Sequence, residues 1–317
     1  MAISLVKSAD LAALDRTVRT GFFDAYNNPA YKPRWPAIAT RQPSSSSRNI
    51  YPTMIDPAVV REWSEGERVV NQLVLEGQVV TNKLWELTYG IRRTDLDDDM
   101  TGAVQMALSR VRSGAQKYVR FADRLVFNIL KDNGVCLDGL ALFHATHKVN
   151  PVDAASATFS NTAAGALTPA NLAAAKAAML QFKLPDGDPA NENPSVIVVP
   201  PALETIAKKI AGADVIVYDS GVAAQESNIY KGDYTVVVVP QLGAAFTGGS
   251  DTAWYLADAN DPEDRALIWQ EREAVEMTTR FNPSDPGVFD LDVYTWGTRA
   301  RFVAAAGNPK KIVRRTG

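Results

Sequence analysis

The sequence predicts an α+β protein in which a two-stranded arm and a long helix extend from a pair of packed domains. Residues 69–81 form two β-prone runs around Glu76-Gly77, with few side chains to anchor a core of their own. Residues 85–92 are apolar at every second position, which is typical of a strand with one buried face. A helical pattern of roughly 35 residues follows, which corresponds to roughly 50 Å. This order indicates a subunit that reaches its neighbours rather than an enzyme with a substrate pocket.

Length and composition limit the possible classes of protein. The 317 residues suffice for two domains, or for one domain with a large insertion. The formal charge of −3 argues against a sequence-independent nucleic-acid-binding protein, which would carry a basic excess. The single cysteine, Cys136, excludes a disulfide framework. Because no apolar run approaches about 18 residues and no export segment precedes Lys7, we expect a protein made in the cytosol without a membrane-spanning helix.

The N-terminal region leaves two interpretations open. Residues 5–23 predict a helix with Leu11, Leu14, Val18 and Phe22 on one face. That helix either packs on its own domain or lies on another subunit as an arm. Residues 27–57 are rich in proline and include a run of serines, so we expect an extended segment that buries little.

The long helix has an apolar stripe at three- and four-residue steps, formed by Met100, Val104, Leu108, Val111, Ala115, Tyr118, Ala122, Leu125 and Ile129. Its acidic start, Asp95 and Asp97–Asp99, suits the positive end of a helix dipole. A divalent cation is the disfavoured alternative, because such a site needs carboxylates from separate elements. Basic side chains follow at Arg110, Arg112, Lys117, Arg120 and Arg124. Gly134 is the predicted left-handed stop of the helix.

Both histidines of the chain, His144 and His147, follow the long helix. As a zinc site they lack a third ligand, because Cys136 is near in sequence but meets no recognised spacing. As acid–base groups they lack a nucleophile with an orienting partner. We therefore expect satisfied or exposed loop histidines, and no catalytic residue, cofactor or metal.

The second half of the chain predicts an α/β domain followed by a return to sheet. Thr168-Pro169 is typical of a capped helix start, and Val196–Val199 is a continuous apolar strand. Together with a second helix and further strands, these elements indicate a separate domain over residues 166–260. Short β-prone runs then lead to a basic tail that we expect to be solvated, formed by Lys310, Lys311, Arg314 and Arg315.

Several motifs occur together in a fixed order: Trp35-Pro36, residues 44–47, Arg61-Glu62-Trp63, Gly66-Glu67-Arg68, residues 83–87, residues 95–99, Asp138-Gly139, Leu142-Phe143, residues 147–151, residues 198–204 and residues 294–301. In this combination the sequence resembles the major head subunit of Mu-like phages and prophages over almost its whole length. No single motif is decisive, but the ordered set is fairly specific.

The resemblance implies a major capsid protein of the Hong Kong 97-type fold. The implied parts are an N-terminal arm (1–55), an extended loop (56–84), a peripheral domain with the spine helix (85–165 and 261–317) and an axial domain (166–260). Such subunits self-assemble as hexamers and pentamers into an icosahedral shell around double-stranded DNA, without reading its sequence. The virion would form in the bacterial cytoplasm, with scaffolding, portal and possibly decoration proteins encoded separately.

The extended loop is the predicted contact between subunits. Its candidate contact residues are Arg61, Glu62, Trp63, Glu65, Glu67, Arg68 and Glu76. Four acidic and two basic side chains (four minus two) leave residues 61–80 net negative by two. We therefore expect this loop to dock on the basic side chains of a neighbouring spine helix.

Two other functions remain possible from the sequence. A cargo-enclosing nanocompartment would use the same shell subunit. A metal-dependent hydrolase using His144, His147 and an aspartate belongs to a different class, and it would require a third converging ligand.

Overall fold

A computed structural model describes residues 8–55, 74–97, 103–136, 138–151, 153, 155–216, 226–282 and 284–317. The helices are α1 (Ser8–Tyr26), α2 (Arg93–Asp97), α3 (Ala103–Asp132), α4 (Pro169–Leu180), α5 (Glu204–Gly212) and α6 (Pro286–Leu291). The strands are β1 (Ala39–Pro43), β2 (Arg48–Ile55), β3 (Val74–Thr81), β4 (Lys83–Arg92), β5 (His147–Lys148), β6 (Thr158–Phe159), β7 (Thr162–Ala164), β8 (Val196–Val199), β9 (Val215–Ile216), β10 (Glu226–Ser227), β11 (Thr235–Val238), β12 (Ala253–Ala257), β13 (Leu267–Arg280), β14 (Val293–Ala306) and β15 (Ile312–Thr316). This mixture confirms the predicted α+β class.

The strands form two larger sheets and three two-stranded ones. A four-stranded sheet has the order β1-β13-β14-β4, and a five-stranded sheet has the order β11-β8-β12-β15-β7. The two-stranded sheets are β2-β3, β5-β6 and β9-β10. The chain divides into two compact units: residues 1–33, 82–123 and 271–302 form the first, and residues 34–81, 124–270 and 303–317 form the second. The predicted four-part division into arm, loop, peripheral and axial regions stays a prediction.

The first unit is built on the long antiparallel pairing of β4 with β14, which runs from Val293 opposite Arg92 to Phe302 opposite Lys83. β4 alternates as predicted, and its Trp85 packs edge-to-face on Phe121 of α3 at 4.6 Å. Its indole also donates to the Phe302 carbonyl at 2.9 Å. The period-2 pattern therefore placed this strand correctly, because every second side chain is partly buried on the face that meets a helix.

Helix α1 belongs to the first unit and packs within it. Val18 and Phe22 are buried there. Arg19 donates to the Met277 carbonyl at 2.7 Å, and Phe22 lies edge-on to Tyr118, with ring centroids 6.4 Å apart. Of the two interpretations left open by the sequence, these contacts favour packing of α1 on its own unit.

Helix α3 is described from Ala103 to Asp132, and its buried stripe drifts. Its 30 residues span about 45 Å at 1.5 Å per residue. Leu108, Val111, Ala115, Tyr118 and Ala122 are buried as predicted, but the stripe then continues through Val126, Phe127 and Leu130. Leu125 and Ile129 are only partly buried. The stripe drifts because an α-helix has 3.6 residues per turn, so residues that repeat at a fixed spacing gradually rotate away from one face of the helix.

The predicted acidic start of the long helix is not tested, because Asp95 and Asp97 lie in α2 and Asp98 and Asp99 lie outside the described residues. The C-terminal end differs from the prediction. There Asn133, with φ 53°, adopts the left-handed conformation predicted for Gly134. Asparagine tolerates this region better than other residues with a Cβ atom.

The core of the second unit is the five-stranded sheet with α4 and α5. All four residues of β8 are buried, and β8 runs parallel to β11 and antiparallel to β12. Helix α4 begins as predicted, because the Thr168 side chain accepts a hydrogen bond from the Asn171 amide. Trp254 of β12 is fully buried, and its indole donates to the Gly165 carbonyl at 2.9 Å.

Two expectations about this unit were wrong. The proline-rich segment 27–57 does bury side chains, since Trp35 stacks on Trp269 at 4.9 Å and β1 joins the four-stranded sheet. The basic tail is not solvated, because β15 lies inside the five-stranded sheet between β12 and β7. There Arg314 covers the Phe143 ring at 4.9 Å, and Lys311 pairs with Glu192 at 2.6 Å. Both differences arise because the proline-rich segment and the basic tail contact aromatic or acidic side chains that are remote in sequence.

Candidate functional site

The predicted arm is a hairpin, but its strands are not the ones expected. β2 and β3 pair antiparallel in continuous register, from Arg48 opposite Thr81 to Ile55 opposite Val74. The proposed turn at Glu76-Gly77 is wrong, because both residues lie inside β3 and Gly77 faces Pro52. The second strand of the hairpin therefore comes from the proline-rich segment upstream.

One face of this hairpin is anchored to the second unit. The Tyr51 hydroxyl donates to the Gln270 side chain at 2.7 Å, and the Gln78 side chain donates to the Val135 carbonyl at 3.1 Å. Burial raises the pKa of the Tyr51 hydroxyl, and a hydrogen bond with Asn49 offsets part of that rise. The hydroxyl therefore stays a neutral donor at physiological pH. These contacts fix the base of the hairpin.

The opposite face of the hairpin carries exposed apolar side chains. Ile50 lies directly across from Val79, and these residues are 63% and 53% exposed. Gly77 lies under Ile50, because a Cβ atom built on Gly77 would come 2.6 Å from Ile50 Cγ2. We call Ile50 and Val79 the exposed pair. Such cross-strand apolar pairs stabilise a sheet most when they are covered.

The structure leaves the predicted contact residues of the arm untested. Arg61, Glu62, Trp63, Glu65, Glu67 and Arg68 lie in residues 56–73, outside the described part of the chain. Glu76 lies in β3 opposite Thr53. The exposed pair was missed by sequence analysis, although the apolar residues Ile50 and Val79 on either side of the polar loop were a usable signal.

The predicted docking surface does lie on one helix. Arg110, Arg112, Lys117, Arg120 and Arg124 are all exposed on α3. At 100° per residue, Arg110, Lys117, Arg120 and Arg124 fall within an arc of about 80°. Arg112 lies outside this arc, with its guanidinium next to Gly21 of α1. We call Arg110, Lys117 and Arg120 the basic stripe.

The charged side chains of the basic stripe form no ion pair with other described residues. Within the described ranges, the ion pairs of the protein do not include Arg110, Lys117 or Arg120. No Asp or Glu shares their arc of α3. A run of exposed, unpaired cations on a rigid helix can steer and orient an acidic partner.

The two histidine rings lie edge-to-face with centroids 5.8 Å apart, but their nitrogens contact different groups. His147 is fully buried, and its two ring nitrogens contact Asp138 and the Leu142 carbonyl. His144 is only partly buried, and its Nδ1 accepts a hydrogen bond from the Thr146 amide at 3.2 Å. The nitrogens of the two rings therefore have different hydrogen-bond partners.

Comparison with known proteins decides the family. The profile of the family described as "Mu-like prophage major head subunit gpT" matches residues 11–169, 163–242 and 243–313. The chain belongs to this family. The resemblance read from the ordered motifs is confirmed.

Individual relatives of this head-subunit family agree with the match. The major capsid protein of Escherichia phage Mu is 33% identical over 111 residues, which cover 34% of this chain and 35% of that protein. The Mu-like prophage FluMu major head subunit of Haemophilus influenzae is 30% identical over 115 residues, 35% of this chain and 36% of that protein. The matched segments thus span about a third of each curated relative.

Solved structures extend the likeness to the whole fold. The procapsid protein of bacteriophage JBD30 covers 98% of this chain and 76% of its own, with a TM-score of 0.55 and 23% identity. The Hong Kong 97-type capsid fold expected from the resemblance is therefore confirmed, with its mixed helices and sheets. Among the described residues, no helix has the length and apolar character needed to cross a membrane.

Proposed function

We propose that this chain is the subunit from which a tailed phage or prophage builds its icosahedral head. Copies of the chain assemble into hexamers and pentamers that close around double-stranded DNA. Membership of the major head subunit family carries this proposal. The hairpin supplies the physical reason, because one face carries an exposed apolar pair while the opposite face is anchored through Tyr51 and Gln78. A two-stranded ribbon of this kind gains stability when a neighbour covers it.

The work we assign to the chain is mechanical, without catalysis or a cofactor. The hairpin and the adjoining residues 56–73 clamp the next subunit, α3 stiffens the shell, and residues 166–260 meet their copies at the local symmetry axes. Heterologous contacts repeated around an axis close into rings, which a shell requires. Scaffolding, portal and decoration proteins would be separate chains, and the head would assemble in the bacterial cytoplasm.

We further propose that the acidic loop docks on the basic stripe of a neighbour. Glu62, Glu65, Glu67 and Glu76 supply the negative charge, with Arg61, Trp63 and Arg68 as the remaining contacts. The basic stripe faces solvent and forms no ion pair with another described residue, as such a partner would require. Complementary charge of this kind sets register and speeds encounter more than it increases affinity.

Charge reversal tests the docking. The variant Arg110→Glu/Lys117→Glu should assemble slowly, and adding Glu62→Lys/Glu67→Lys should restore much of the rate. The control Arg92→Glu/Arg280→Glu reverses two exposed charges on β4 and β13, outside the surfaces that we assign to assembly, and should leave the rate unchanged. Assembly is followed by light scattering and electron microscopy. Normal assembly of the Arg110/Lys117 variant would reject the docking but not the family's shell-building role.

Particle contents separate the phage head from a cargo-enclosing nanocompartment. Particles purified from cells with the other head genes should contain nuclease-protected double-stranded DNA. A protein enclosed in a fixed ratio to the shell, with no DNA, would favour the nanocompartment. The family match favours the head, because its description names a head subunit.

A further inference from the structure

Three side chains of different metal-binding chemistry meet just after the end of α3. The sulfur of Cys136, a carboxylate oxygen of Asp138 and a ring nitrogen of His147 all lie within 4.8 Å of one another. Cys136 is 1% exposed and His147 is fully buried. Residues nearly adjacent in sequence thus converge with a third from the start of β5.

A tight turn brings Cys136 and Asp138 together. The Gly139 amide donates to the Cys136 carbonyl at 3.0 Å, and the Cys136 amide donates to the Leu140 carbonyl at 2.8 Å. Gly139 has φ 78°, a region that favours glycine. Asp138 Oδ1 then accepts from both the Cys136 thiol at 2.7 Å and the Leu140 amide at 3.1 Å. The backbone therefore holds the sulfur and the carboxylate in place.

The third group, His147, is held in one tautomer. Its Nε2 lies 3.2 Å from the Leu142 carbonyl, which can only accept, so Nε2 carries a hydrogen. The Asn161 side chain donates to the same carbonyl at 2.6 Å and fixes its direction. Nδ1 is therefore the ring position that faces the other two groups, and one hydrogen bridges it to Asp138 Oδ2 at 2.5 Å. A metal-binding histidine is usually oriented in this way, with its other N–H on a carbonyl or carboxylate.

We propose that Cys136, Asp138 and His147 bind one Zn²⁺ ion, or a divalent ion of similar preference for sulfur and nitrogen. Binding releases the thiol proton and the proton shared between Nδ1 and Asp138. Two protons leave as one Zn²⁺ enters, so the net charge of the buried site is unchanged. Thiolate, carboxylate and imidazole are the ligands that zinc prefers, and water can complete the tetrahedron beside the exposed Gly139.

Such an ion would join the segment that follows α3 to the start of β5. Cys136 follows α3, and His147 begins β5. The proposed role is a structural clamp in the second unit, independent of the surfaces that we assign to assembly.

The composition of the chain makes the test site-specific. The sequence has 1 cysteine and 2 histidines, so a cobalt–thiolate absorption band can come from Cys136 alone. The purified full-length chain, freed of metal with a chelator, is titrated with Co²⁺ and then with Zn²⁺. We expect a sulfur-to-cobalt charge-transfer band that saturates at one equivalent per chain, is bleached by Zn²⁺, and is accompanied by a higher Tm.

Matched variants complete the test. Cys136→Ser keeps a donor to Asp138 and should fold, but it should lose the band. His147→Gln should bind cobalt at least about 10- to 100-fold more weakly, the loss seen when even an outer partner is removed. His144→Gln is the control and should bind as the unmodified chain does. Absence of the band, absence of a Tm increase with Zn²⁺, or equal loss in the two histidine variants would overturn the proposal.

Discussion

The β2–β3 hairpin and the five-stranded sheet belong to the same unit but satisfy their surfaces in opposite ways. Val196–Val199 of the sheet is buried at every position, whereas the hairpin leaves Ile50 63% and Val79 53% exposed. Apolar surface removed from water stabilises a fold by roughly 25 cal/mol per Å². The sheet obtains this stabilisation within one chain, whereas the exposed pair of the hairpin does not.

The sheet and the hairpin also differ in where their charged groups find partners. Lys311, at the edge of the sheet, lies 2.6 Å from Glu192, 3.9 Å from Asp258 and 3.7 Å from Asp264. On the hairpin, the predicted acidic residues belong to the loop we assign to a neighbouring subunit. Under the assembly proposal, the residues that stabilise the subunit and those that contact its neighbours lie on different elements.

The largest expected effect is on the sheet. Trp254→Ala should lower the free energy of unfolding by about 3–5 kcal/mol, because it leaves a cavity and the Gly165 carbonyl loses its donor. Denaturant unfolding of the isolated subunit measures the loss. A change in the free energy of unfolding below about 1 kcal/mol would show that burial in the five-stranded sheet is not a main source of the subunit's stability.

Breaking the ion network of Lys311 should have the next largest effect. Lys311→Met leaves buried carboxylates without their cation and should cost about 3 kcal/mol at neutral pH. Burial alone would lower the pKa of Lys311, but the Glu192 hydrogen bond and nearby carboxylates raise it above its ordinary value of 10.5.

The raised pKa of Lys311 fixes the pH dependence of this effect. A cation whose pKa rises on folding contributes full stability below its unfolded pKa, and that stability is lost as pH rises through the folded value. The difference between the unmodified chain and Lys311→Met should therefore be constant from pH 7 to 9 and shrink above 10.5. A difference that grew in alkali would contradict the pairing.

A smaller, local effect is expected where Gly77 lies under Ile50. Gly77→Ala would place a Cβ 2.6 Å from Ile50 Cγ2 and 3.0 Å from the Tyr51 carbonyl oxygen. We expect about 1–2 kcal/mol of local weakening, seen as faster amide exchange in β3. Gly212→Ala is the control, because its Cβ would meet nothing within 4 Å.

The smallest effect on stability should accompany the largest effect on assembly. Ile50→Ser/Val79→Ser should change the unfolding free energy of the subunit by no more than about 0.5 kcal/mol, as surface substitutions do. Particle yield should nevertheless fall sharply, measured by sedimentation. Leu291→Ser, at an exposed apolar residue of α6, should leave both stability and yield unchanged. Equal yields from the hairpin variant and this control would remove the hairpin from the interface.

The sequence by itself determined the elements whose cause is local. The alternation of β4, the Thr168 cap of α4 and the buried stripe of α3 depend on neighbours a few residues away, so periodicity predicted them. The family also followed from the sequence, because it rests on ordered motifs.

Only the tertiary structure decided which segments meet. It paired β3 with β2 instead of folding residues 69–81 on themselves, and it placed the basic tail inside a sheet. It also brought Cys136 and Asp138 to His147, where spacing alone had indicated no third ligand. Strand pairing and side-chain convergence depend on the packing of distant residues, and a local pattern carries no information about which distant partner is chosen.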